Sequence, residues 1–163
     1  MNETNINEET KRVSDSRVEQ IQIVMPGHIN GYGRLFGGQL VEWIDVVAGV
    51  VARRHANSEV TTVCIDNLYF KAPAYANETV ILIGKLSYVG NTSMEVRVDT
   101  FVESLVGSRT LVNTAYLVMV ALDGRERPMN VPRLELVNDE EKAEWEAGKK
   151  RSELRYKRRL EQF

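Results

Sequence analysis

Apolar and polar positions alternate over residues 18–24, with Val18, Gln20, Gln22 and Val24 set against Glu19, Ile21 and Ile23. A period of two predicts a first strand, which Pro26 and Gly27 end. Gly31, Gly33, Gly37 and Gly38 then make a glycine-dense loop. Residues 39–55 lack proline and predict a helix of about four to five turns, stopped at Asn57 and Ser58. Beyond it the pattern is strand only, over 60–70, 79–88, 93–103 and 110–122. The clearest of these puts Met94, Val96, Val98, Thr100 and Val102 on one face, with Glu95, Arg97, Asp99 and Glu103 largely on the other. Gly90-Asn91, Gly107-Ser108 and Asp123-Gly124 supply the turns.

The order strand, helix, then four strands with short connections favours antiparallel pairing. One long central helix packed on a curved antiparallel five-stranded sheet is the simplest two-layer solution, an α+β fold. The sheet edges and outer face need cover, so a dimer is expected. Residues 1–16 are polar and predict a mobile N-terminal extension, and 17–136 carry nearly all the periodicity. Residues 137–163 predict a charged C-terminal helix. Asp139, Glu140, Glu141, Glu144 and Glu146 come first, then Lys149, Lys150, Arg151, Arg155, Lys157, Arg158 and Arg159. Acid first and base last suits a solvated helix aligned with its own dipole.

Composition narrows the chemistry. The chain has 163 residues, a net charge of -2, one cysteine and two histidines. That is one domain with appendages, with no basic excess for nucleic acid. Cys64, His28 and His55 cannot build a disulfide framework or a thiolate-rich zinc site. The longest apolar runs, 46–52 and 115–122, are far short of the roughly 20 residues of a membrane helix. The first ten residues are polar and acidic, unlike a secretory signal, so a cytoplasmic protein is expected. Cys64 reads as core and His55 as a helix-end cap.

The predicted helix is apolar nearly all round, which means burial, yet Asp45 sits at its middle. A carboxylate there needs partners. It either pairs with Arg53 or Arg54 or faces solvent, or it serves a site in the space left by Ala48 and Gly49. Gly37 and Gly38 stand at the helix start, where unpaired N–H groups can hold a developing oxyanion. Gly37 and Asp45 are eight residues apart, about 12 Å along a helix, so one small group cannot touch both within a subunit. Across a two-fold dimer it could.

The run Asn30-Gly31-Tyr32-Gly33-Arg34-Leu35-Phe36-Gly37-Gly38, followed by Gln39-Leu40-Val41-Glu42-Trp43-Ile44-Asp45, resembles the acyl-CoA thioesterases of the hotdog fold. Thr61-Thr62-Val63-Cys64-Ile65-Asp66-Asn67-Leu68-Tyr69-Phe70-Lys71-Ala72-Pro73 is similar to that family's second strand. Tyr88-Val89-Gly90-Asn91-Thr92-Ser93-Met94 is similar to its Gly-x-Thr-Ser-Met hairpin, with Asn91 where a basic residue is usual.

The resemblance implies hydrolysis of an acyl-CoA thioester to a free acid and CoA, at sites on a dimer interface. Asp45 would be the catalytic carboxylate, as general base or nucleophile. Asn30 would orient water or thioester, and Gly37 or Gly38 would supply the oxyanion N–H. Thr62 would line the site from the partner subunit, and Asn91, Thr92 and Ser93 would contact the CoA arm. No metal or cofactor is implied, CoA being part of substrate and product. A trimer of dimers is common in the family. Arg53, Arg54 and the basic tail are candidates for the CoA phosphates. Asp66 reads as structural. Two other readings use the same residues. A hotdog-fold dehydratase would pair an acid with a histidine such as His28. A non-catalytic acyl-CoA-binding regulatory module would not need Asp45.

Overall fold

In the computed structural model, which describes residues 9–163, the chain runs β1 (Thr10–Arg12), α1 (Val13–Ser16), β2 (Val18–Ile23), a 3-10 turn (Pro26–His28), α2 (Gly37–Ala56), β3 (Glu59–Phe70), β4 (Thr79–Val89), β5 (Ser93–Glu103), β6 (Arg109–Leu122), β7 (Arg133–Glu135) and α3 (Asp139–Glu161). Strands β2 to β6 form a five-stranded antiparallel sheet in the order β2-β4-β5-β6-β3. The hotdog architecture expected from the sequence is the one observed. Helix α2 lies on one face, with Ile44, Val47, Ala48 and Val51 buried against Val80, Leu82, Val96, Val98, Ala115 and Leu117. Each large side chain buried here contributes about 1.5–3 kcal/mol. Gly84 permits the close approach, since a Cβ there would lie 2.6 Å from Val47 Cγ1. No helix among the described residues is long and apolar enough to cross a membrane.

Several expectations change. Residues 1–8 of the expected mobile extension lie outside the described residues. From Thr10 onward the segment is built into the fold. Strand β1 pairs in parallel with β7, and Val13 and Ser16 are buried. Lys11 Nζ donates to the carbonyls of Arg54 and His55, both at 3.0 Å, at the C-terminus of α2. A three-residue strand whose partner is more than a hundred positions away leaves no period to read.

The helix-end cap is Asn57, in the left-handed region at φ 52 with its N–H donating to Arg53 O, and not His55. His55 is fully buried, and Nε2 donates to Pro132 O at 2.9 Å. Burial holds its pKa below the usual 6.5, opposed in part by that bond. The lowered folded value means His55 contributes full stability above pH about 6.5 and loses it as pH falls below that, when the unfolded chain takes the proton first. His55→Gln is therefore expected to flatten the fall in urea midpoint between pH about 7 and 5.5. Parallel curves for the two proteins would clear His55 of the effect.

Helix α3 crosses the opposite face of the sheet and is not a free solvated helix. Glu95, 1% exposed, accepts from Ser87 Oγ at 2.6 Å, Arg151 Nη2 at 2.8 Å and Arg155 Nη1 at 2.6 Å. Arg97 bonds to Glu144 and Asp99, and Arg155 and Arg158 bond to Asp66. Burial alone would push the Glu144 carboxyl up, but Arg97, Tyr116 and Arg151 outweigh it and hold it below the usual range. Gly148 lets the helix down, because a Cβ there would lie 2.7 Å from Tyr88 Cβ. Cys64 is half-buried on this face, in register with Val118, rather than in the core.

Candidate active site

Asp45 and Thr62 meet directly. Thr62 on β3 donates its hydroxyl to Asp45 Oδ1 at 2.7 Å. No other hydrogen bond among the described residues reaches that carboxylate, so Oδ2 is available. Asp45 pairs with neither Arg53, which bonds Glu59, nor Arg54, which donates to Arg17 O. The all-round apolar reading of α2 needs adjusting at this point. Asp45 and Gly49 are half-buried, while Glu42 and Val46 are exposed, the latter at 53%. That stripe runs alongside Thr62 on an edge strand whose Val63, Tyr69 and Phe70 are also exposed.

A second group gathers where α2 begins. Asn30 Oδ1 accepts from the N–H of Tyr32 at 2.9 Å and of Arg34 at 3.3 Å, which ties the glycine loop into a turn. Gly33, at φ 73, completes that turn. Backbone donors claim Oδ1, and no acceptor among the described residues takes the Asn30 Nδ2 protons. The cap residue Phe36 offers no side-chain acceptor to the first turn of α2, leaving the N–H groups of Gly37 and Gly38 uncapped. Gly38 also makes room for the Phe36 ring, which a Cβ would approach to 2.6 Å. Asn30 and Gly37 share a cleft of about 370 Å³ with Leu35, Leu40, Phe70 and Ala74.

The third group lies on the other face. Thr92 and Ser93 line a groove of about 1080 Å³ under α3, opposite Lys150, Lys157 and Arg159. Asn91 is exposed at the hairpin, whose backbone is clamped by Val131 N to Asn91 O at 2.9 Å and Arg133 Nη2 to Gly90 O at 2.6 Å. The protomer thus brings Asp45 to Thr62 and Asn30 to Gly37, and sets the hairpin apart from both. Thr62 sits with Asp45 in one protomer rather than coming to it from a partner. His28, which a dehydratase would pair with the acid, accepts from Met25 N–H at 3.0 Å and packs edge-on to Trp43.

Sequence reasoning offered the basic tail for CoA phosphates and missed that Arg151, Arg155 and Arg158 pair with Glu95 and Asp66 of the sheet. Glu144, Gly148, Arg151, Arg155 and Arg158 follow a spacing of three or four that marks one helix face. With no apolar stripe to flag it, that face looks solvated.

A family model described as the thioesterase superfamily matches residues 32–106. The chain is 37% identical over 134 residues to an uncharacterized acyl-CoA thioester hydrolase of Bacillus subtilis, covering 82% of this chain and 78% of that protein. A hexameric acyl-CoA thioesterase solved in apo form superposes with a TM-score of 0.88 at 38% identity, over 92% of this chain and 97% of that one. The acyl-CoA hydrolase of Staphylococcus aureus, solved with butyryl-CoA, CoA and CoA disulfide, superposes with a TM-score of 0.90 at 31% identity, over 94% of each chain. Other structures of the S. aureus enzyme carry alanine for an asparagine, for an aspartate 15 positions later, and for a threonine 17 beyond that. Asn30, Asp45 and Thr62 are separated by the same two intervals.

Proposed function

This chain belongs to the acyl-CoA thioester hydrolases of the thioesterase superfamily and hydrolyses acyl-CoA to a free acid and CoA, and from that premise we propose that Asp45 is its catalytic carboxylate. The observation that carries the assignment is the Thr62 hydroxyl held on Asp45 Oδ1 at 2.7 Å, which fixes the carboxylate while no bond among the described residues reaches Oδ2. Oδ2 either takes a proton from water as the water oxygen attacks the thioester carbonyl, or attacks that carbon itself. The oxyanion that forms is held by the uncapped N–H of Gly37 or Gly38. Collapse breaks the C–S bond. On the general-base route the proton taken by Asp45 passes to the CoA sulfur and the free acid forms directly. On the nucleophilic route CoA leaves as the thiolate, protonated from solvent, and water then cleaves the acyl-Asp45 anhydride to the free acid. Asn30 Nδ2 orients the thioester or the water. The reading requires no cofactor.

Asp45 stands about 12 Å along α2 from Gly37, so one protomer holds two half-sites. A two-fold dimer completes them, with Asp45 and Thr62 from one protomer facing Asn30 and Gly37 from its partner. The uncovered stripe of α2 and the free edge of β3 support such a pairing. Three such dimers would give the hexamer seen in the apo thioesterase it resembles. Thr92 and Ser93 contact the CoA arm, and Lys150, Lys157 and Arg159 across the groove suit its phosphates.

Complementation tests the shared site. Asn30→Ala and Asp45→Ala are each expected to be nearly inactive alone. Co-expressed, they should regain about a quarter of wild-type turnover, because random pairing makes half the dimers mixed and each mixed dimer keeps one intact site of two. Mixed oligomers isolated by two different tags but showing no recovery would place the whole site within one protomer.

A further inference from the structure

The cleft that Asn30 and Gly37 share is apolar inside and closed at one end. Its volume is about 370 Å³, and its most buried lining residues are Leu40, Ala74 and Val112, at 2%, 5% and 2% exposure. Only Asn30, Arg34 and Lys71 bring polar side chains to it, and all three are exposed. The Phe70 ring reaches to 3.4 Å of the place a Cβ on Gly37 would occupy, so the apolar wall starts beside the first N–H groups of α2. Backbone bonds hold the walls together. Leu35 N donates to Ala74 O at 2.7 Å, and Lys71 N donates to Val112 O at 2.8 Å. Val112 comes to the cleft at an irregularity in β6. Thr100 of β5 pairs with Asn113 and Phe101 with Leu111, which leaves Val112 without a partner on β5. A bulge of this kind re-aims a side chain. Asn113 Nδ2 donates to Tyr69 O at 2.7 Å, so bonds on either side of Phe70 pin the bulge to the end of β3.

We propose that this cleft takes the acyl chain, that Val112 and Ala74 set its depth, and that the substrates are straight-chain acyl-CoAs of about a dozen carbons or fewer. That role rests on the reading of Asn30 and Gly37 as the half-site that holds the thioester. The thioester carbon carries two substituents. Its sulfur leads to CoA, whose arm and phosphates are assigned to the hairpin groove. Its alkyl chain leaves the Gly37 N–H in another direction, and the apolar space beside Phe70 begins there. Each methylene buried in the cleft favours the bound state by about fourfold, until the closed end is reached. At roughly 30 Å³ per methylene, close to the share of a water molecule, the cleft fills at about a dozen carbons. A tetradecanoyl chain overruns it. Val112 and Ala74 are specificity residues, because they meet the far end of the chain and stand away from the reacting carbonyl.

The test is the chain-length profile of kcat/KM on the full chain, read by thiol release from acetyl- through tetradecanoyl-CoA. In the wild type it should rise by up to about fourfold per methylene, peak between about six and twelve carbons, and fall beyond. Val112→Ala deepens the cleft and should move the peak about two carbons longer. Ala74→Val makes it shallower and should move the peak about two carbons shorter, with the octanoyl-to-butyryl ratio about tenfold lower. Val98→Ala makes the same truncation in the core outside the cleft and should leave the peak in place. A ratio taken within one variant cancels any general loss of folded enzyme, so a structural defect alone does not move it. A wild type that prefers acetyl- or tetradecanoyl-CoA would overturn the proposal. So would a peak unmoved by both cleft variants, the result expected if a partner's side chains fill the cleft, or one moved as far by Val98→Ala. Asn30→Ala with wild-type kcat would defeat the half-site reading instead, and the peak shifts then decide the cleft on their own.

Discussion

Replacing Asp45 by alanine is expected to lower kcat by about a thousandfold while KM for butyryl-CoA changes less than about threefold. Asp45 is half-buried at the middle of α2, with Thr62 on one carboxylate oxygen and nothing else among the described residues bonded to it. It holds no element in place, so its removal costs little structure. The residues suited to binding the CoA arm and phosphates lie in a different groove, on the far face of the sheet. The loss should therefore fall on the chemical step rather than on binding. Asp45→Asn sharpens the test. The amide oxygen still accepts from Thr62, so the geometry survives while the proton acceptor or nucleophile is gone. It should be as inactive as the alanine variant. Thr62→Ala, which leaves the carboxylate in place but unanchored, should lose only about tenfold. Thiol release from butyryl-CoA measures all three. An Asp45→Asn variant with more than about a tenth of wild-type kcat would remove the carboxylate from the mechanism.

The central helix and the five strands were legible, and the residues proposed for the site at the start and middle of α2 stood out, because each has a local signal. Period two marks the strands. The glycine loop marks a helix entrance, and a lone acid among valines marks a place where the chain gives up burial for something else. What was not legible depends on partners distant in sequence. Lys11 caps a helix more than forty residues on. His55 sits at a helix end, where an exposed cation is the usual occupant, and is buried by the segment around Pro132. The charge pattern of 139–161 describes a solvated helix equally well whether or not the sheet beneath carries matching charges. Only the pairing of β6 with both β5 and β3 shows that Glu95 and Asp66 lie under it. Thr62 was placed on the right strand, but a regular alternation would put it on the same face as Asp66. The bulge at Val63 separates them, and no residue type at 63 announces it.

Replacing Glu95 by alanine is expected to destabilise the protein by roughly 3–5 kcal/mol, a loss on the scale of a large core truncation. Glu95 is buried on β5, with Arg151 and Arg155 both bonded to it and each less than a fifth exposed. Water cannot easily replace the carboxylate without lifting α3 from the sheet. The cost is mainly that of two largely buried guanidiniums each losing a carboxylate, with Arg151 keeping only Glu144 and Arg155 only Asp66, not the net worth of the pair. Glu95→Gln keeps the shape and an acceptor for Ser87 but should still lose much of the stability. A combined Glu95→Leu with Arg151→Met, which removes charge from both sides, should recover part of it. Glu140 gives the contrast. Its bond to Lys85 joins the same helix to the same sheet, but it is exposed, and Glu140→Ala should leave the urea midpoint unchanged. Urea midpoints at matched protein concentration measure all four variants. If Glu95→Ala and Glu140→Ala shift the midpoint alike, the buried network does not anchor α3. If Glu95→Ala alone falls, the buried network is what holds α3 on the sheet, with Arg155 bridging Glu95 on β5 to Asp66 on β3.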